Sequence, residues 1–213
     1  MDLQTSVDRV ERELVRLGEH GLDTQTWCRA ADGLLGRVVG FDGSCWHTID
    51  PATVLITSHL TLNLPSRFPL LAANEYLADD VNKFADLAAA PQPVGVLSQA
   101  TDGQPQRSLP WQEMLRPNGF DAELRVAFVD SAGCWGSLIL VRDRGRPRLR
   151  SRDPGCRRAA GRQAGRWPAP NRGRPADHLR AAGPGSRAGG PGPSRPGRVA
   201  DPGRPPLAGP PWG

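Results

Sequence analysis

The chain lacks the features by which most function classes can be read. No apolar run approaches the roughly 18–20 residues needed to span a bilayer. The amino terminus, MDLQTSVDRVERELVRLG, alternates charge with apolar residues and offers no hydrophobic signal core. No membrane partner is therefore expected. The four cysteines, Cys28, Cys45, Cys134 and Cys156, stand far apart and include no CxxC pair, which argues against a disulfide framework and against structural zinc. These absences predict a cytoplasmic protein with free thiols. Catalytic signatures are missing as well: there is no GxSxG elbow, no HExxH, no P-loop and no GxGxxG. Neither enzymatic activity nor a cofactor is expected.

A second set of absences is confined to the carboxy-terminal third. Residues 146–213 contain no Lys, Glu, Ile, Phe, Tyr, Met or Thr, but 13 Gly, 14 Pro and 15 Arg against 3 Asp, a net charge of +12. Such a composition cannot bury enough apolar surface to offset chain entropy of about 1–2 kcal/mol per residue, so a disordered basic tail is predicted. Residues 1–145 carry 12 basic and 19 acidic residues, a net charge of −7. The whole-chain charge of +5 thus averages two unlike regions. The expected folded part is about 140 residues and one domain.

Within that part the clearest pattern is Glu123 to Arg142, ELRVAFVDSAGCWGSLILVR. Leu124, Val126 and Phe128 alternate with Arg125, Ala127 and Val129, as in a half-buried strand. Asp130-Ser131-Ala132-Gly133 supplies turn chemistry. Trp135 to Val141 is the most apolar run, which predicts a strand lying centrally in a sheet.

Upstream, Leu3, Val7, Val10, Leu14 and Leu17 form an apolar seam at helical spacing. The seam suits a helix packed on its own sheet or a homodimer through the amino-terminal helix. Two heptads are too short to hold a dimer alone, which favours the first. Asp23 can cap a second helix whose Trp27, Ala30, Ala31, Leu34 and Leu35 face the core. Strands are expected at Cys45–Ile49, Val54–Thr61 and Val94–Gln99. One helix is expected from about Leu70 to Ala89, burying Leu77, Val81, Phe84 and Ala88, and a short one from Pro110. Helices segregated around a mainly antiparallel sheet make the fold class α+β.

This order, with its closing hairpin VAFVD…GCWGSLILVRDRGRP, resembles the GAF-type sensory domain. More narrowly, it resembles the amino-terminal region of a group of LuxR-type helix-turn-helix regulators. The residues that carry the likeness are Trp46 to Pro51 (WHTIDP), Val54 to His59 (VLITSH), Asn74-Glu75-Tyr76, Leu109 to Phe120 (LPW…PNGF) and Cys134-Trp135-Gly136, within roughly residues 5–147. Beside the amphipathic helix that the seam predicts over 1–20, the resemblance implies a GAF-like sensor domain over 21–145 with an antiparallel sheet flanked by helices. It implies an unknown small-molecule or protein signal as partner. In such regulators the hairpin is followed by a long helix and eventually a helix-turn-helix that binds DNA. Residues 146–213 have no apolar periodicity from which a recognition helix could be built. Shifted reading of GC-rich codons produces this Arg/Pro/Gly/Ala bias, and Arg148 to Arg158 can be encoded so that the next frame reads DFDPETLAVVG, a capped helix start. A truncated or frameshifted regulator is therefore expected.

GAF-like folds hold ligands between the sheet and the connecting elements, and the side chains that suit such a pocket here are Trp46, His47, Ser58, Tyr76, Trp111 and Trp135. Core packing is the competing role for the tryptophans. No metal is expected: Cys45, His47 and His59 match no familiar ligand spacing, although Cys45 and His47 share a strand face. Arg148, Arg150, Arg152, Arg157 and Arg158 would attract phosphate backbones without sequence preference, so any DNA binding by this chain is expected to be non-specific.

Overall fold

A computed structural model describes residues 3–147 and 149. Cys156 and the arginines expected to attract phosphate, Arg148, Arg150, Arg152, Arg157 and Arg158, lie outside the described residues, as does almost all of the predicted tail.

The fold is α+β, built on a five-stranded antiparallel sheet with helices on both faces. Two helices come first, α1 (Leu3–Glu19) and α2 (Thr24–Gly36). The sheet begins with β1 (Gly43–Ile49) and β2 (Ile56–Leu62). Then come α3 (Phe68–Tyr76), α4 (Phe84–Ala89), the three-residue β3 (Val94–Val96) and the single turn α5 (Leu97–Ala100). A π-helical turn, Trp111–Leu115, leads into the long hairpin of β4 (Phe120–Asp130) and β5 (Gly133–Asp143). Spatial order is β2-β1-β5-β4-β3, so the most apolar strand, β5, is central as expected.

The hairpin turn follows from its residues. Asp130 accepts from the Ala132 N–H at 2.8 Å, and Gly133 adopts φ 131°, where an added Cβ would come within 2.8 Å of Pro51 O. Asp23 caps α2, accepting from the Thr26 N–H at 3.0 Å.

Alternation along the strands makes two cores. On one face Trp46, Leu124, Val126, Phe128, Leu138 and Leu140 pack with Val10 and Leu14 of α1 and Trp27, Cys28, Ala31 and Leu35 of α2. The apolar seam of α1 is thus used within the chain. Leu149 joins this core, four residues past the boundary expected from composition. On the other face Cys45, Ala127, Ile139 and Val141 pack with Leu71, Phe84, Leu87, Leu97 and Leu115.

Several expectations are corrected. The single helix over 70–89 is two: its middle, Ala-Asp-Asp-Val-Asn, is diverted into local side-chain turns. Val81 N–H donates to Asp80 Oδ1 at 2.6 Å, and Asn82 takes φ 59°. Leu77, assigned to the buried side, is 85% exposed. The second strand starts at Ile56, because Val54 turns with φ 58°. The strand at Val94 ends at Val96 and the chain turns helical at Leu97. Strand β4, expected to be half-buried, is covered on both faces, and Arg125, opposite the Leu124, Val126 and Phe128 face, is 3% exposed.

Candidate functional site

The α3 face of the sheet differs from the α1/α2 face in carrying charge. Arg125 lies mid-strand in β4, and Glu123 two residues earlier shares its face because side chains alternate with period two. Arg125 Nε donates to Glu123 Oε1 at 2.8 Å and Nη2 to Glu123 Oε2 at 3.3 Å. Its Nη1 reaches Glu75 Oε2 of α3 at 3.4 Å and Asn82 O at 3.5 Å. The other Glu75 oxygen, Oε1, accepts from the Phe84 N–H, the first amide of α4. One guanidinium therefore fastens the strand to the bent connection between α3 and α4. Phe84 packs under it, with the guanidinium carbon 5.6 Å from the ring centroid.

The electrostatics follow from burial. Desolvation opposes the Arg125 cation, but the neighbouring Glu123 and Glu75 charges outweigh it and hold its pKa above the ordinary value. Desolvation pushes Glu75 above the usual carboxylate range, with Arg125 and the Phe84 N–H pulling the other way.

Beside this network lies a second buried group. His47 Nε2 is 3.1 Å from Cys45 Sγ and its Nδ1 is 2.9 Å from Ser137 Oγ, while its ring packs on Phe84 at 5.5 Å. Burial, aided by Arg125, lowers His47 to about 3. Burial raises the Cys45 thiol to about 12, although Arg125 pulls it down. Both are uncharged at pH 7, which suits packing and local hydrogen bonding and leaves no activated nucleophile. Among the described residues no group of three His, Cys, Asp or Glu could hold a metal.

Between this face and the covering elements is a cavity of about 50 Å³. Its walls are Leu64, Phe68, Leu71, Met114, Leu115, Ile139 and Val141, and Cys45, Glu123 and Arg125 stand at its base. His59 closes one side, its ring stacked on Phe68 at 4.5 Å. Apolar walls with a few fixed polar groups are the usual make-up of a small-molecule site. This cavity would admit only a compact ligand unless the segment 63–67 or the π-helical turn moves.

The six side chains singled out from sequence do not line this cavity. Trp46 lies in the opposite core, stacked with Phe128 and edge-on to Trp27, its Nε1 donating to Asp32 Oδ1 at 3.0 Å. His47, its neighbour, points to the cavity face but is held by Cys45 and Ser137. Ser58 shares a hydrogen bond with Thr48 at 2.8 Å, and Tyr76 Oη accepts from the Ile56 N–H at 2.7 Å on the surface. Trp111 packs into the α3-side core, with Arg116 over its ring. Trp135 donates to Asp130 Oδ1 at 2.8 Å beside the hairpin turn. Only Trp46, His47 and Ser58 come together, around a separate recess of about 20 Å³ near the start of α2. Glu75, Glu123 and Arg125 were missed. The signal for Glu123 and Arg125 is the Glu-x-Arg spacing inside a strand whose two faces both need cover; Glu75, in α3, carries no such signal.

No family model matches the chain, and no curated protein matches it. Among solved structures, it is similar to the A. aeolicus NLH2 GAF domain in an inactive state, with 7% identity, a TM-score of 0.36, and coverage of 68% of this chain and 84% of that one. It is also similar to the chromophore-binding domain of an unusual bacteriophytochrome, RpBphP3, from R. palustris. There the identity is 13% and the TM-score 0.41, with 74% of this chain and 58% of that one covered.

Proposed function

We propose that residues 21–145 act as a GAF-like signal-sensing module whose ligand occupies the cavity on the α3 face. The observation that carries this reading is an apolar cavity placed directly over the buried Glu123–Arg125 pair. Burying such a network is costly, and it contributes little that apolar packing could not. At the floor of a cavity it supplies oriented polar groups, and through Glu75 it links the ligand to the bent α3–α4 connection. A compact molecule with an apolar body and one polar group fits this chemistry. No catalytic role is proposed: burial keeps the Cys45 thiol protonated and leaves His47 too weakly basic to activate it.

The finer part of the proposal is that the module is the sensory portion of a LuxR-type regulator whose DNA-binding output is lost through a shifted reading frame. The ordered motifs from WHTIDP to CWG and the abrupt change to Arg/Pro/Gly composition support it. The nucleotide sequence tests it: the alternative frame should encode an in-register helix-turn-helix, and a stop within a few codons would sink the idea. A freestanding sensor with a basic arm is the second reading, favoured by 15 Arg against 3 Asp in residues 146–213. It requires a phenotype in the native host when that arm is deleted.

The ligand site is tested by screening small amphiphilic molecules by thermal shift against the intact chain and a Met114→Trp variant that fills the cavity. Hits should stabilise the parent and lose their effect in the variant. Hits that stabilise both equally would place the ligand elsewhere.

A further inference from the structure

The two edges of the sheet are treated differently. Strand β3 is short, follows Pro91 and Pro93, and gives way at once to α5. Asn82 lies so close to Gly95 that an added Cβ would meet it at 2.4 Å. Proline, brevity and cover are the usual means of keeping an edge from pairing with another chain. Strand β2 at the opposite edge, Ile-Thr-Ser-His-Leu-Thr-Leu, has seven residues, no proline and no Asp, Glu, Lys or Arg.

Its first turn is protected. Tyr76 Oη takes the Ile56 N–H, and a register shift opposite Thr48 makes a bulge at Thr57. Past the bulge the pairing with β1 is regular from Ser58 to Leu62. Among the described residues no loop or helix backbone bonds to the main chain of this stretch. Ser58 and His59 are exposed, and Asn63 with φ 55° then turns the chain away. An unguarded edge of β-forming residues offers a row of amides and carbonyls to another strand.

We propose that Ser58–Leu62 pairs antiparallel with the same stretch of a second copy, joining two five-stranded sheets across a twofold axis. The stretch suits itself. Pairing about Leu60 sets leucine against leucine on the α1/α2 face and each His59 ring opposite a Thr61 hydroxyl on the cavity face. No carboxylate or permanent cation is brought against its like. The interface is isologous, as in most homodimers. It also differs from the alternative of a homodimer through α1, whose Val10 and Leu14 pack in the domain's own core. A five-residue edge buries less than the roughly 1,200 Å² of a standard stable interface, so the dimer is weak, with a Kd on the order of tens of micromolar.

Analytical ultracentrifugation of the full chain tests this at about 0.5 M salt, which suppresses association through arginine and contaminating nucleic acid. A concentration-dependent dimer is expected. Ser58→Lys should weaken it by about tenfold or more, and Ser58→Lys with His59→Lys should abolish it. Glu113→Lys, exposed on the π-helical turn, should leave it unchanged. Thermal unfolding checks that each variant is folded. Hydrogen exchange on the unaltered chain gives an independent reading: amides within Ser58–Leu62 should gain protection as concentration rises. A chain that stays monomeric to about 1 mM, a dimer indifferent to both lysine substitutions, or protection that appears elsewhere would overturn the proposal.

Discussion

The two faces of the sheet are made by the same strands yet have different physical characters. Along β5, Leu138 and Leu140 point to the α1/α2 side, Ile139 and Val141 to the α3 side. The first side is packed with tryptophan and aliphatic residues from two regular helices. The second is covered by short helices, turns and a bent connection, and holds Arg125, Glu123, Glu75, His47 and a cavity. Long amphipathic helices such as α1 and α2 can fill a face with side chains at regular spacing. Interrupted elements leave gaps and unpaired backbone groups, and here buried ionisable side chains bond to them. The contrast separates a face filled by two regular helices from one that holds a buried charged network and a cavity.

Acid should break the contrast most strongly. His47 has a depressed folded pKa, so its neutral burial contributes stability that is complete above the unfolded value of 6.5 and is lost as pH falls towards about 3. The loss between pH 7 and 4 should be on the order of a few kcal/mol. Glu75 acts in the opposite sense: its folded pKa is raised, so its contribution is present at low pH and lost as pH rises through that value. Urea unfolding between pH 7 and 4 should show a net loss of stability in the parent chain and a much flatter profile in His47→Gln. Leu138→Ala, on the other face, should lower stability by about 2–5 kcal/mol without altering the pH profile.

Removing the central cation comes next. Arg125→Ala leaves two buried carboxylates uncompensated and should cost about 3–5 kcal/mol at pH 7, measured by denaturant unfolding. Adding Glu75→Gln should recover part of that loss, since Glu75 is the carboxylate that burial already pushes towards protonation. A smaller effect is expected opposite. Trp46→Phe removes the donor to Asp32 and part of a buried indole, and should cost about 1–3 kcal/mol, with no change in ligand response.

The α1/α2 side was largely legible in the sequence, because its signals are local. The seam of α1, the Asp23 cap and the Asp-Ser-Ala-Gly turn each specify their structure within a few residues. The α3 side was not. A helix pattern runs through Leu70 to Ala89, but Asp80 and Asn82 divert the backbone, and Glu75 takes the first amide of α4 from nine residues away. Arg125 in an alternating strand reads as a solvated residue until both faces prove to be covered. The aromatic residues expected in a pocket were drawn mostly into packing, as bulky rings generally are. The cavity instead uses aliphatic walls, which carry no distinctive sequence signal.

The most direct test follows one strand. Methyl NMR of the full chain, titrated with ethanol as a two-carbon probe with one polar group that suits a cavity of about 50 Å³, reads both faces at once through β5 and its neighbours. Saturable shifts are expected at Ile139, Val141 and Leu71, with Leu138 and Leu140 unmoved. Shifts of equal size at Leu138 and Leu140, or none at Ile139 and Val141, would contradict it.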